Sequence, residues 1–321
     1  MSWKTFLKLI FTIVLLLVLG YSIDLETLFS VIVSVRIELF LVAIVLQLIS
    51  TLFSVFRWKI ILGCFRLKVP YIETLRIVFI GNFFNLFLPS GIGGDVFRAY
   101  YLARRSRSRL SQMLTTTFLD RSAGLFALLI IGLGSSLYLD ITVVGIVLSR
   151  IFILLTGIYL ILNVAVFHSV SHRIISRVVK GFGFHRLEEK LHLIYEGLSS
   201  LIRKPQAVFT ILFLSLVIQF VSVCVVWFIA LSLNFGTNFG VFLTFIPLIN
   251  LSIMVPVTIN GFGLRENLYR ILFFELGIQE ETAVALGLLQ AIVMMILAFP
   301  GGIFYSLHKM EKADFEKETI R

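Results

Sequence analysis

Residues 85–109 read "NLFLPSGIGGDVFRAYYLARRSRSR". The stretch opens as membrane-grade apolar sequence and closes as a basic loop. Between the two lie Pro89, Gly91, Gly93 and Gly94, then Asp95 and Arg98. Proline removes a backbone donor, and glycine tolerates dihedrals that other residues avoid. Together they predict a turn inside a membrane. Non-helical backbone survives there only where protein or water satisfies its amides. The turn is therefore expected to line a protected cavity.

The rest of the chain is consistent with a membrane setting. Hydrophobic residues make up 59% of 321, only 14% are charged, and mean hydropathy is +1.01. Soluble domains carry about 25% charged residues. The expectation is one all-α integral membrane domain over 1–321. The formal charge of +10 sits in loops between apolar runs, where topology and anionic headgroups account for it. Nucleic acid is not an expected partner. Cys64 and Cys224 are isolated, which suggests packing residues without a disulfide framework. His168, His172, His185 and His192 form no ligand pair, so neither a metal nor a cofactor is expected.

Crossing the hydrocarbon takes about 20 apolar residues. Six segments qualify: 5–22, 38–56, 112–139, 142–168, 206–232 and 282–307. Lys4 and Lys8 stand ahead of the apolar run Leu9–Leu19 of the first, which reads as an uncleaved helix. Basic loops over Arg57–Arg76, Arg98–Arg109 and Arg173–Lys204, and the tail beyond Lys309, belong on the cytoplasmic side. "IDLETLFSVIVS", the surroundings of Asp140, "LNFGTNFG" and "ELGIQEET" then lie outside. Both termini are expected in the cytoplasm, in the plasma membrane. Two interrupted segments, 72–98 and 241–276, start and finish on the same side. They read as re-entrant hairpins of opposite orientation, although 241–263 alone is long enough to span.

Segments 38–139 and 206–307 each run span, hairpin, span. The hairpin turns read "LPSGIGGDVFR" and "VPVTINGFGLREN". Pro89 aligns near Pro256, Gly91 and Gly93 near Gly261 and Gly263, and Arg98 near Arg265. The spans before them share Gln-x-x-Ser, at Gln47 with Ser50 and at Gln219 with Ser222. This pattern suggests an inverted repeat, in which broken segments at matching positions mark a binding site. Between the repeats, 169–205 carries an apolar stripe from Leu187 to Leu201 and reads as a cytoplasmic amphipathic linker.

Ionisable residues at membrane depth are costly, and usually paired or functional. Asp120 and Arg121 lie well inside "TTTFLDRSAGLF", Asp95 and Arg98 on the first hairpin, and Arg265 and Glu266 on the second. Neighbours on a helix do not face each other. The simplest pairing joins Asp120 to a hairpin arginine, and Arg121 to Asp95 or Glu266. Such pairs would staple the hairpins to the bundle. Alternatively, an arginine keeps donors for a phosphate, which guanidinium binds in a bidentate fork. Asn85 and Asn260 either cap broken helix ends or contribute to the site.

"NLFLPSGIGGDVFRAYYL", "TTTFLDRSAGL", "VPVTINGFGLREN" and a late "PGGIFY" together resemble the lysylphosphatidylglycerol synthase transmembrane family. That family includes the membrane half of the bacterial multiple peptide resistance factor. The resemblance runs over nearly the whole chain. It implies flipping of an aminoacylated phospholipid, or of a polyprenyl-phosphate-linked carrier, between leaflets. It places the motif at Asn85, Pro89, Gly93, Gly94, Asp95, Arg98, Asp120, Arg121, Gly261, Gly263, Arg265 and Glu266. No stretch is polar enough for a soluble aminoacyl-transferase domain, and no G-x-x-x-x-G-K-[ST] loop for ATP occurs. The expected function is therefore lipid translocation without an ATPase, downhill or coupled to an ion gradient through an acid such as Asp120. The expected substrate is a membrane lipid. A separate lipid synthase or glycosyltransferase, and a homo-oligomer, are further candidate partners. An integral-membrane enzyme acting on a lipid phosphate, or an accessory subunit delivering lipid to a synthase, is the alternative.

Overall fold

The computed structural model describes residues 3–87, 93–106, 109–143, 145–167, 201, 203–255 and 257–319. They are almost entirely helical. The helices are α1 (Trp3–Ser22), α2 (Leu25–Val33), α3 (Ile37–Cys64), α4 (Tyr71–Phe87), α5 (Gly93–Ser106), α6 (Leu110–Leu139) and α7 (Leu148–Phe167). They continue as α8 (Pro205–Ser232), α9 (Phe239–Met254), α10 (Leu264–Phe274) and α11 (Glu280–Thr319). A two-residue hairpin, β1 (Thr142–Val143) on β2 (Ile146–Val147), precedes α7. The expected linker helix over 169–205 lies almost wholly outside the described residues, as do Pro89, Gly91 and Pro256.

Among the described residues, four helices are long and apolar enough to cross a membrane: α3, α6, α8 and the Glu280–Leu307 part of α11. A fifth is reached if Lys8–Ser22 and Leu25–Val33, bent by 91°, count as one broken span. This is an all-α, multi-pass membrane protein. Three sequence expectations change in detail. The loop expected at "IDLETLFSVIVS" contains α2, whose start is capped by the Asp24 side chain accepting from Glu26 N. The span expected over 142–168 starts only after the β-hairpin, and its apolar stretch, Leu148–Val164, is short. Arg57, assigned to a basic loop, lies inside α3, which runs on to Cys64.

α4, α5, α9 and α10 hold 17, 14, 16 and 11 residues. At 1.5 Å per residue they reach only about 17–26 Å, short of the ~30 Å hydrocarbon core. They form two helical hairpins. Arg105 near the end of α5 pairs with Glu73 near the start of α4 at 3.0 Å. Phe273 at the end of α10 packs on Phe242 near the start of α9, with ring centroids 5.3 Å apart. The first hairpin follows the C-terminal end of α3, and the second follows the end of α8. That end of α8 sits at the start of α3, where Arg36 N donates to Ser232 O at 3.0 Å. The hairpins thus depart from opposite ends of the α3–α8 pair.

α3 against α8 is the most extensive helix contact. α4 packs on α11, and α9 packs on α6. α5 packs on α6, and α10 packs on α11. Exchanging α3–α6 for α8–α11 leaves this pattern of neighbours unchanged. The buried side chains form one cluster around Trp58, Ile61, Leu62 and Met113 in the first half. A larger one surrounds Phe242, Phe245, Tyr269 and Phe273 in the second.

The glycines serve different ends in the two hairpins. Gly93 and Gly94, expected in the turn, are already helical. A Cβ on Gly94 would sit 1.9 Å from Gly81 O, so glycine there lets α5 lie against α4. In the second turn Asn260, Gly261 and Gly263 have φ of 51°, 79° and 77°. Those are left-handed values that glycine adopts without a Cβ penalty.

Candidate anion-binding site

Asp120 is the hub of a buried charge network. It lies in α6 and is 4% exposed. Its Oδ1 accepts from Arg57 Nε at 2.8 Å, and its Oδ2 accepts from Arg98 NH2 at 2.9 Å. Arg57 comes from α3 and also donates through NH1 to Ser215 Oγ on α8, at 2.8 Å. Arg98 stands on the first hairpin, 4.6 Å above the Trp58 ring. Trp58 is held in turn by Nε1 donating to Thr116 Oγ1 at 3.3 Å. Asp95, one turn earlier on α5, accepts from Arg121 Nε and lies 3.2 Å from Arg98 Nε. Asn85 at the end of α4 accepts from Gly94 N at 2.8 Å, joining the two arms beside their turn. The first hairpin is thus held to α3 and α6 by charge-assisted bonds, the strong kind.

The pairing expected from sequence is present where it involves the first hairpin: Asp120 takes Arg98, and Arg121 takes Asp95. The second hairpin does not join them. Arg265 is 3% exposed, with NH2 donating to Asn260 O at 3.3 Å. Glu266 is fully buried, and its Oε2 accepts from Gly263 N at 2.7 Å, closing the N-terminus of α10. That turn packs on α1, where Ile259 N donates to Thr12 Oγ1 at 3.0 Å. Asn260, Arg265 and Glu266 therefore belong to a second polar cluster. Its ties are to its own backbone and to α1, too local to reach the Asp120 hub.

The first cluster borders a cavity of about 300 Å³. Its charged lining is Arg57, Arg98, Arg121, Asp95 and Asp120, a formal +1. Taking charge out of water costs several kcal/mol per ion unless partners compensate. An excess positive charge in a partly closed site therefore favours an anion. Neutral polar groups add to the wall: Gln47, Ser50, Thr51 and Ser54 from α3, Asn82 and Asn85 from α4, Gln219 and Ser222 from α8, with Val78, Leu125, Leu128 and Ile218 among its apolar parts. All four members of the Gln-x-x-Ser pairs lie here. Among the described residues of the second hairpin, only Met254 reaches the cavity. Arg57 was missed because it follows an apolar run. Polar residues at 47, 50, 51, 54 and 57 on one face of α3 were the available signal. No group of three or more metal-ligating side chains occurs among the described residues.

Asp120 is also poorly placed as a proton carrier. Protonating it would leave two buried guanidiniums without the anion they share. The carboxylate acts first as a clamp that fixes Arg57 against Arg98.

The family model of the lysylphosphatidylglycerol synthase TM region matches residues 5–302. The chain belongs to this family. It is similar to a UPF0104 membrane protein of Methanocaldococcus jannaschii, 26% identical over 311 residues, covering 92% of this chain and 91% of the relative. A second UPF0104 membrane protein, from Methanothermobacter thermautotrophicus, is 23% identical over 270 residues, with coverage of 79% and 80%. No solved structure matches the chain. The matched region contains every charged residue of the cavity.

Proposed function

We propose that this protein moves an anionic, phosphate-bearing lipid between the leaflets of the plasma membrane. The headgroup would pass through the arginine-lined cavity while the acyl or prenyl tails stay in the bilayer. The observation that carries this reading is the Asp120-centred network. Three arginines and two aspartates line a partly open cavity inside a bundle of apolar helices. At about 300 Å³ the space lies at the small end of ligand cavities, suited to a headgroup and not to tails. The family's name, with its reference to a phospholipid synthase, points to the same class of molecule.

On this reading the two helical hairpins are re-entrant, the halves form an inverted repeat, and both termini face the cytoplasm. Their departure from opposite ends of α3–α8, and the neighbour pattern that survives exchange of the halves, support it. The protein then acts as a transporter, not as an enzyme, on lipid supplied by a separate synthase or glycosyltransferase.

Reconstitution into vesicles tests the proposal. A headgroup-accessible fluorescent phosphatidylglycerol should exchange between leaflets faster than in protein-free vesicles. Arg98→Gln should slow it at least tenfold, since a charged hydrogen bond contributes roughly 1.5–3 kcal/mol. Exchange at the protein-free rate would defeat the proposal.

A further inference from the structure

The cavity wall bears on which headgroup is carried, an inference that rests on the lipid reading above. Gln47, Ser50, Thr51 and Ser54 precede Arg57 on α3, all of them lining the cavity. Steps of three and four residues hold side chains on one face of a helix. They make a polar stripe about 15 Å long that ends at the arginine cage. α8 lays Gln219 and Ser222 along the same space. All these groups are neutral, and all can donate and accept hydrogen bonds.

One donor there is unused. Gln219 is 9% exposed, yet its Nε2 has no hydrogen-bond partner among the described residues. A buried donor is normally satisfied, so this one calls for an acceptor oxygen from a ligand. Arg98 Nε instead faces Asp95 Oδ1 at 3.2 Å, as an ion pair.

The carboxylates, by contrast, are engaged. Asp120 faces Arg57 through one oxygen and Arg98 through the other. Asp95 faces Arg121 and Arg98 in the same way. A cationic headgroup would meet three guanidiniums and find no carboxylate oxygen that is not already paired. We infer that the cavity selects a phosphate ester bearing a neutral, polyhydroxylated group. The phosphate lies against Arg57 and Arg98, and the hydroxyls lie along Gln47–Ser54 and Gln219. An aminoacyl headgroup with a free ammonium is disfavoured by the same charges. Two sources offer the favoured chemistry: an inositol- or glycerol-type phospholipid, and a glycosyl phosphate on an isoprenoid chain.

Native mass spectrometry of the purified full chain reads the choice. The protein is offered equal amounts of phosphatidylinositol, a polyprenyl hexosyl phosphate, phosphatidic acid and lysylphosphatidylglycerol. One of the two polyol phosphates should be retained about tenfold over phosphatidic acid and over the lysyl lipid, the gain expected from one or two added hydrogen bonds. Whichever of the two is retained identifies the source. Gln47→Ala with Gln219→Ala should narrow the ratio of polyol lipid to phosphatidic acid to about twofold. The milder pair Ser50→Ala with Ser222→Ala should shift it in the same direction. Retention of the lysyl lipid at or above the polyol lipids, or an unchanged ratio in both variant pairs, overturns the inference. Polyol lipid that binds selectively but never exchanges in vesicles defeats translocation alone. Retention of none of the four defeats both.

Discussion

The two hairpins share a plan and differ in chemistry. Asp95 and Arg98 are the third and sixth residues of α5, and Glu266 and Tyr269 are the third and sixth of α10. Asp120 is the eleventh residue of α6, and Gln290 the eleventh of α11. In the first half Arg98 donates to Asp120 at 2.9 Å. In the second, Tyr269 OH donates to Gln290 Oε1 at 2.8 Å. An ionic dyad in one half thus stands where the other has a neutral one. The neutral dyad sits in a dry aromatic core, with Tyr269 stacked on Phe273 and Phe245 edge-on to the same ring. The ionic dyad opens onto a cavity. The backbone plan is compatible with either filling. On the proposed function, the cavity beside the ionic dyad holds the ligand, with Gln219 and Ser222 of α8 adding to its wall, and the neutral dyad serves packing.

That contrast can be broken most severely at its centre. Asp120→Asn keeps the shape and removes the anion that two buried arginines share. It should cost about 3–5 kcal/mol of stability, read as a fall in the denaturant midpoint in detergent, and abolish lipid exchange. Transplanting the ionic dyad is gentler. Tyr269→Arg with Gln290→Asp places a charge pair among aromatics. The loss should be about 1–4 kcal/mol, the usual difference between a buried ion pair and its apolar replacement, with no new lipid retained. A gain in anionic lipid would show that the second half is also a binding half. The smallest effect belongs to Tyr269→Phe. Removing one neutral hydrogen bond should cost about 1 kcal/mol, and the rate of lipid exchange should not change. A large loss of exchange there would erase the proposed division of labour.

Much of this was legible in sequence. The apolar runs at α3, α6, α8 and α11 announced themselves by length. The broken segments stood out through Pro and Gly, and the costly charges at Asp95, Arg98, Asp120 and Arg121 were visible against their apolar surroundings. Helix geometry and charge pointed to pairing of Asp120 with a hairpin arginine and of Arg121 with Asp95 or Glu266, and the structure selects Arg98 and Asp95. Register was harder. Matching by residue type set Arg98 beside Arg265, whereas helix position sets Arg98 beside Tyr269. Two arginines look alike in a string, but their distances from the helix start differ by four residues. Arg57 was assigned to a loop because hydropathy falls there, although its helix continues for two further turns.

Composition, apolar run length and the cost of intramembrane charge were sufficient for a helical membrane protein with two interrupted segments. Those properties are local, set by each residue's own transfer energy and backbone freedom. Which charges meet was settled only in three dimensions. Asp120 draws partners from α3 and α5, sixty-three residues and twenty-two residues away in the chain, while Arg265 turns to its own backbone. A buried charge takes the nearest compensating group that packing brings to it, and packing joins residues that sequence separation does not.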